Sequence, residues 1–146
     1  MEFSIKSVGP EKQRNACVVV GVFETRKLTL PAELVDIASN HYLSDIMRRG
    51  GMDGKAGSTL LLHNVPAMLC GAVMLVGLGK EKDFHEKEYI SAMRCAVKAV
   101  NEAGINDAVF FLTDVAVKKR SLSWCIRQAA IAARDALYRF DQFKSD

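Results

Sequence analysis

Cys17-Val18-Val19-Val20-Gly21-Val22-Phe23 is a continuous apolar run that is rich in β-branched side chains. Valine favours the extended backbone, and a run that is apolar on both faces indicates a central strand covered by helices on either side. Outward from this strand the hydrophobic period switches repeatedly between two and 3.6. This alternation predicts one α/β domain whose helices pack on a mostly parallel or mixed sheet.

Other stretches of the chain have the patterns of strands. The first six residues alternate apolar and polar side chains, and three later stretches are apolar and short. The predicted strands besides the central one are residues 1–6, 59–63, 72–77 and 108–112. The link at residues 64–71, which contains Pro66, is short enough for a hairpin with a longer loop.

Three stretches have helical spacing. Pro31 predicts the first turn of a helix that continues to Arg49 and ends at Gly50-Gly51. Its expected buried face consists of Leu34, Ile37, Ala38, Tyr42 and Ile46. A final helix is predicted over residues 121–143.

The helix between these two is predicted from a capping box. Asp83 is the expected N-cap and Glu86 its partner three residues on, while Gly104 marks the end. The expected buried face consists of Tyr89, Ile90, Met93, Val97 and Val100.

Composition limits the classes of function. The chain has 146 residues, of which 49% are hydrophobic and 25% charged, as in a folded domain. Its 20 basic and 17 acidic residues leave a net charge of +3, which is too small to indicate a nucleic-acid or membrane partner. Neither a membrane span nor a signal peptide is evident, so we expect a cytoplasmic protein without a membrane partner.

The cysteines and histidines do not indicate a metal site. Cys17, Cys70, Cys95 and Cys125 are scattered through apolar runs without a C-x-x-C pair, so free buried thiols in a reducing compartment are expected. The histidines lie on different predicted elements and lack ligand spacing. No metal-binding or catalytic residue is therefore predicted in this chain.

The turn Gly77-Leu78-Gly79-Lys80 follows a strand and precedes a helix, where a phosphate-binding loop would lie. The third glycine of the dinucleotide fingerprint is missing, and the spacing of a Walker motif is absent. Acidic side chains follow closely at Glu81, Asp83 and Glu86. A plain strand-ending turn is the preferred interpretation.

Basic residues form two groups that could contact DNA phosphates. Lys118, Lys119 and Arg120 precede the predicted final helix, and Arg127 continues the group along it. These four are the candidate DNA-contacting residues. Arg48-Arg49 and Lys55 form a second, smaller group, although surface helices carry such charges routinely.

Several segments in order resemble the amino-terminal domain of bacterial leucine aminopeptidases, also called cytosol aminopeptidases or aminopeptidase A. No single segment is decisive, but their order and spacing from the first residue to the last are specific. The matching segments are residues 1–4, 10–14, 17–24, 48–50, 54–55, 57, 59–63, 75–81, 111–113 and 137–144.

The resemblance implies a macro-domain-like, three-layer α/β fold with a mixed β-sheet flanked by helices. It implies that residues 1–146 are a single non-catalytic amino-terminal domain and that the catalytic domain is absent. The family's hallmark Asn-Thr-Asp-Ala-Glu-Gly-Arg does not occur in this sequence. Two divalent metal ions, Zn or Mn, would therefore be bound by that other domain, and no cofactor is expected here.

Family members resemble one another in forming hexamers, so the expected partners are the chain's own catalytic domain and sibling subunits. Some bacterial members also bind duplex DNA, which favours contact through the basic groups. Two alternatives to a purely structural role follow. One is a DNA-binding module that uses the basic patch, and the other is an ADP-ribose-binding domain, as suggested by the macro-like fold.

Overall fold

The computed structural model describes residues 2–4, 14, 16–112 and 131. Its strands are β1 (Glu2–Ser4), β2 (Cys17–Phe23), β3 (Lys27–Leu28), β4 (Thr59–His63), β5 (Ala72–Gly77) and β6 (Asp107–Phe110). Its helices are α1 (Leu30–Ala38), α2 (Tyr42–Arg48) and α3 (Glu86–Glu102), and a short 3-10 turn spans Glu81–Asp83.

The strands form one mixed sheet in the order β1-β6-β2-β5-β4, and β3 pairs with β2. The four strands β1, β6, β2 and β5 are parallel to one another. β4 runs antiparallel to β5, with Leu61 opposite Met74, and β3 runs antiparallel to β2. The predicted hairpin at residues 59–77 and the predicted bounds of β2, β4 and β5 are confirmed.

Alternate side chains of the central strand enter two separate cores, because successive residues of a strand point to opposite faces. Val19 and Met74 pack under α3 together with Tyr89 and Val97. Val18, Val20 and Val73 pack on the other face, together with side chains of α1 and α2. The molecule is thus a three-layer, macro-domain-like α/β fold, as the resemblance implied.

The prediction of one helix from Pro31 to Arg49 is wrong. Asn40 and His41 have φ values of +58° and +64°, and this left-handed backbone separates α1 from α2. The change of axis also changes the buried face. Ile37 is 66% exposed and Leu34 is 38% exposed, whereas the buried side chains include Ala32, Val35, Leu43 and Met47.

The start predicted for α3 is also wrong. The helix begins at Glu86, its N-cap is His85, and the His85 backbone N–H donates to the Glu88 carboxylate at 3.1 Å. The burial of Phe84 explains why the helix begins later than predicted. Its side chain is only 1% exposed, and its ring lies 5.4 Å from that of Phe23. The predicted buried face is confirmed except at Ile90, which is half-buried.

Two strand predictions also need correction. β6 ends at Phe110, two residues earlier than predicted, although the side chains of Phe111 and Leu112 remain buried. The two-residue strand β3 was not predicted, because a run so short has no detectable period. Cys125 and the four candidate DNA-contacting residues lie outside the described residues, as does the predicted final helix except for residue 131, which is helical. Within the described residues, no helix is long and apolar enough to cross a membrane.

Candidate functional site at the carboxyl edge of the sheet

The carboxyl ends of β2, β5 and β6 lie at one edge of the sheet because these strands are parallel. Open α/β sheets bind ligands in the crevice outside this edge. The turn Gly77-Leu78-Gly79-Lys80 lies here, as does the turn that follows Phe23. A third piece of chain, residues 53–58, crosses the same edge on its way from α2 to β4, and we call it the edge segment.

The edge segment is hydrogen-bonded directly to the glycine-containing turn. The backbone N–H of Gly79 donates to the carbonyl oxygen of Gly54 at 2.9 Å, and the N–H of Gly77 donates to the carbonyl of Ser58 at 2.8 Å. Between them, the N–H of Leu78 donates to the carbonyl of Val22 at 2.9 Å. Three consecutive donors that a phosphate would need are therefore engaged within the protein.

Two glycines permit this close approach of backbone to backbone. Gly54 has a φ of +86°, and a Cβ placed there would lie 2.1 Å from the carbonyl oxygen of Phe23. A Cβ at Gly77 would lie 2.0 Å from the carbonyl oxygen of Lys55. No other residue type fits either position without movement of the backbone.

The space left beside the edge segment is small. A cavity of about 140 Å³ is lined by Ala56, Gly57, Gly77, Leu78, Lys87, Glu88, Ser91 and Ala92. Ligand sites ordinarily enclose roughly 300–1,000 Å³, so this cavity cannot hold a dinucleotide. The geometry argues against nucleotide binding at the turn and supports its interpretation as a plain strand-ending turn.

A larger cavity of about 400 Å³ lies where α1 meets α2, and Asp36, His41 and Ser44 cluster beside it. The residue types are those of a catalytic triad, but the contacts are not. His41 Nδ1 and Ser44 Oγ both contact Asp36 Oδ2, at 3.2 and 2.5 Å. A triad instead needs the histidine to accept the proton of the serine, so this cluster has a structural role.

The thiols of the described residues are not activated as nucleophiles. Burial, with a smaller contribution from nearby Cys70, raises the pKa of the Cys17 thiol to about 12. Burial likewise raises the pKa of Cys70 and of Cys95. These pKa shifts leave the thiols protonated and unreactive at neutral pH. No group of three metal-ligating side chains occurs among the residues that the structure describes.

The second basic group is paired in part with acidic neighbours. Arg48 and Arg49 both form ion pairs with Asp45, and the Arg49 pair measures 3.2 Å. Lys55 Nζ lies 3.9 Å from Asp53. Their phosphate-binding capacity is correspondingly reduced. Contact of DNA with Lys118, Lys119, Arg120 and Arg127 stays a prediction.

Solved structures of other proteins share this architecture. The macrodomain of Mycobacterium tuberculosis DarG superposes with a TM-score of 0.68 at 8% identity, covering 92% of this chain and 91% of that one. A mutant of tomato leucine aminopeptidase gives a TM-score of 0.62 at 16% identity, with 91% of this chain matching 28% of that one. The fold therefore defines the class of macro-domain-like α/β proteins.

Sequence similarity narrows the class to one family. The sequence model described as the N-terminal domain of the cytosol aminopeptidase family matches residues 19–146. A probable cytosol aminopeptidase of Dechloromonas aromatica is 68% identical over 145 residues. This chain belongs to the cytosol aminopeptidase family, as its N-terminal domain. It spans 29% of the length of that relative.

Proposed function

We propose that this chain is the non-catalytic amino-terminal domain of a cytoplasmic, metal-dependent leucyl aminopeptidase, which removes N-terminal residues from peptides. Family membership supports the aminopeptidase assignment. Within the described part of the carboxyl edge, the N–H groups of Gly77, Leu78 and Gly79 already donate to other backbone carbonyl groups, which supports the absence of nucleotide binding at this turn. The match to the N-terminal domain of the family is the single observation that carries the proposal.

Hydrolysis belongs to the remainder of the parent protein. Two divalent ions, Zn or Mn, bound there would activate the water that attacks the peptide bond. The described residues of this chain do not fit such a centre, since they contain no group of three metal-ligating side chains. The domain instead supports assembly with the catalytic domain and sibling subunits in a hexamer, and it shapes access to the active site.

Two proteins test this proposal. The first is the 146-residue chain alone, and the second is a chimera in which it replaces the matched 145 residues of the D. aromatica relative. With manganese or zinc added, we expect hydrolysis of leucine amide by the chimera and none by the chain alone. Turnover by the chain alone would overturn the non-catalytic assignment.

A third protein, the remainder of the relative without any amino-terminal domain, tests the assembly role. We expect it to form smaller assemblies than the chimera on sedimentation, or to lose the chimera's discrimination between short and long peptides. If it matched the chimera in size, activity and peptide-length preference, the domain would have no role in assembly or access.

Contact with duplex DNA remains a subsidiary proposal. Joint substitution of Lys118, Lys119 and Arg120 by alanine should weaken binding to every duplex alike and flatten its dependence on salt. Fluorescence anisotropy with a labelled duplex at two salt concentrations measures both quantities. An unchanged salt slope would remove this patch from consideration.

A further inference from the structure

Helix α1 has an apolar outer face that is exposed among the residues that the structure describes. Val35 faces the core and is fully buried, while Leu30 and Ile37 are 67% and 66% exposed and Leu34 is 38% exposed. Residues at this spacing lie along one side of a helix. We call these three residues the α1 stripe.

The exposed face of helix α3 serves as a comparison, because it has the composition of an ordinary solvent-exposed surface. The exposed side chains of α3 are Lys87, Ser91, Arg94, Lys98 and Glu102, all of them polar or charged. On α1 the only exposed charged residue is Glu33, since Asp36 is buried. An exposed, contiguous apolar stripe of this kind marks a contact surface.

The occupant of the stripe follows from its size and its lack of charge. Three side chains on a nine-residue helix offer far less than the ~800 Å² per partner of a stable free interface, which argues against a second copy. The scarcity of cations argues against nucleic acid or an anionic membrane. A small apolar patch suffices when its partner is covalently linked, because the effective concentration is then high.

Such a linked partner exists in the relatives. In the D. aromatica protein, the segment that matches this chain makes up 29% of the length. We propose that the α1 stripe docks against an apolar surface of the polypeptide that follows this domain in full-length family members. The inference rests on the proposed function and adds to it the surface that carries the domain contact.

Cysteine labelling tests the proposal in the isolated chain and in the chimera described above. Ile37→Cys reports on the stripe, and Ser91→Cys on the exposed face of α3 is the matched control. A maleimide should label position 37 quickly in the isolated chain and about tenfold more slowly in the chimera, which corresponds to roughly 1.4 kcal/mol of docking. Position 91 should keep its rate, and peptide mass mapping separates both sites from the natural cysteines.

Equal rates at position 37 in the two proteins would overturn the proposal, and so would slow labelling already in the isolated chain. A second variant confirms that apolar contact causes the protection. With Leu30→Cys as the reporter, the double substitution Leu34→Lys and Ile37→Lys should restore fast labelling in the chimera. Because both positions are exposed, the isolated domain should stay folded.

The labelling result is independent of the test of the proposed function. Protection at position 37 would show docking even if removal of the domain changed neither assembly nor peptide hydrolysis. Conversely, loss of assembly on removal of the domain without any protection at position 37 would place the contact elsewhere on its surface.

Discussion

The carboxylate of Asp36 accepts the backbone N–H of Ser44 at 2.9 Å, and this bond joins the last turn of α1 to the first turn of α2. The first N–H groups of a helix have no partner within the helix, so a side chain from the preceding helix supplies one here. The same carboxylate accepts Ser44 Oγ at 2.5 Å and lies 3.2 Å from His41 Nδ1. A single buried acid therefore fixes the angle between two helices.

Replacement of Asp36 by alanine should destabilise the protein by about 2 kcal/mol, because the backbone N–H and the hydroxyl group of Ser44 would both lose their acceptor at the start of α2. Asp36→Asn retains an acceptor and should cost about half as much. Asp45→Asn is the control, since Asp45 forms exposed ion pairs, and its cost should stay under ~0.5 kcal/mol. Urea unfolding measures all three, and equal costs at the two positions would contradict the capping role.

The same residue should make stability depend on pH. Burial acts to raise the pKa of Asp36, but hydrogen bonds from Ser44 and His41 outweigh it, so the pKa lies below its ordinary value of 3.8. A carboxyl whose pKa is lowered on folding contributes stability above its unfolded pKa and loses it as the pH falls through the folded pKa. The stability difference between the natural protein and Asp36→Asn should therefore shrink below about pH 4. A difference that stayed constant in acid would rule out this linkage.

Gly54 and Gly50 form a natural pair for testing the edge segment. Both have left-handed backbone, with φ values of +86° and +83°, but only a Cβ at Gly54 would collide with other backbone. Gly50→Ala should cost about 1 kcal/mol, the penalty of the left-handed region alone. Gly54→Ala should cost about 3 kcal/mol or more, because the edge segment must also move away from Phe23. Similar unfolding midpoints for the two variants would show that the edge segment is loosely held.

The sequence predicted the sheet better than the helical layer on the α1 side. The runs of β2, β4 and β5 are bounded by turn residues, and their apolar character depends only on burial within the sheet. The break between α1 and α2 was not predicted, although Asn40 is a residue type that readily adopts the left-handed backbone at the end of a helix. The contacts of Asp36 with Ser44 and His41, which hold the two helices together, could not be predicted from the sequence.

The sequence predicted where the turn of the candidate site lies, but it did not predict what the turn contacts. The turn at Gly77–Gly79 was predicted correctly as the end of a strand, and its spacing already departed from nucleotide-binding motifs. Its contact with Gly54 could not be predicted, because it joins segments far apart in sequence through backbone atoms alone. Nothing in the sequence of residues 53–58 indicates which edge of the sheet they cross.

The described thiols should differ in reactivity according to their burial. Cys17 is fully buried with its pKa raised to about 12, whereas Cys95 is partly exposed. Iodoacetamide at mildly alkaline pH should therefore modify Cys95 before Cys17 in the folded protein, and unfolding in urea should abolish the order. Peptide mass mapping over time measures the rates. Preferential modification of Cys17 in the folded state would contradict the packing of β2.

ADP-ribose should not bind, even though the fold is that of a macrodomain. A pyrophosphate at the carboxyl edge would need free backbone donors, but the N–H groups of Gly77, Leu78 and Gly79 donate to other backbone carbonyls. To release the Gly77 and Gly79 donors, the edge segment would have to leave the sheet and expose its own carbonyl groups. Calorimetry with ADP-ribose at millimolar concentration should give only the heat of dilution. Saturable heat would mean that the edge segment opens, and Gly54→Ala, which displaces that segment, should then increase the affinity.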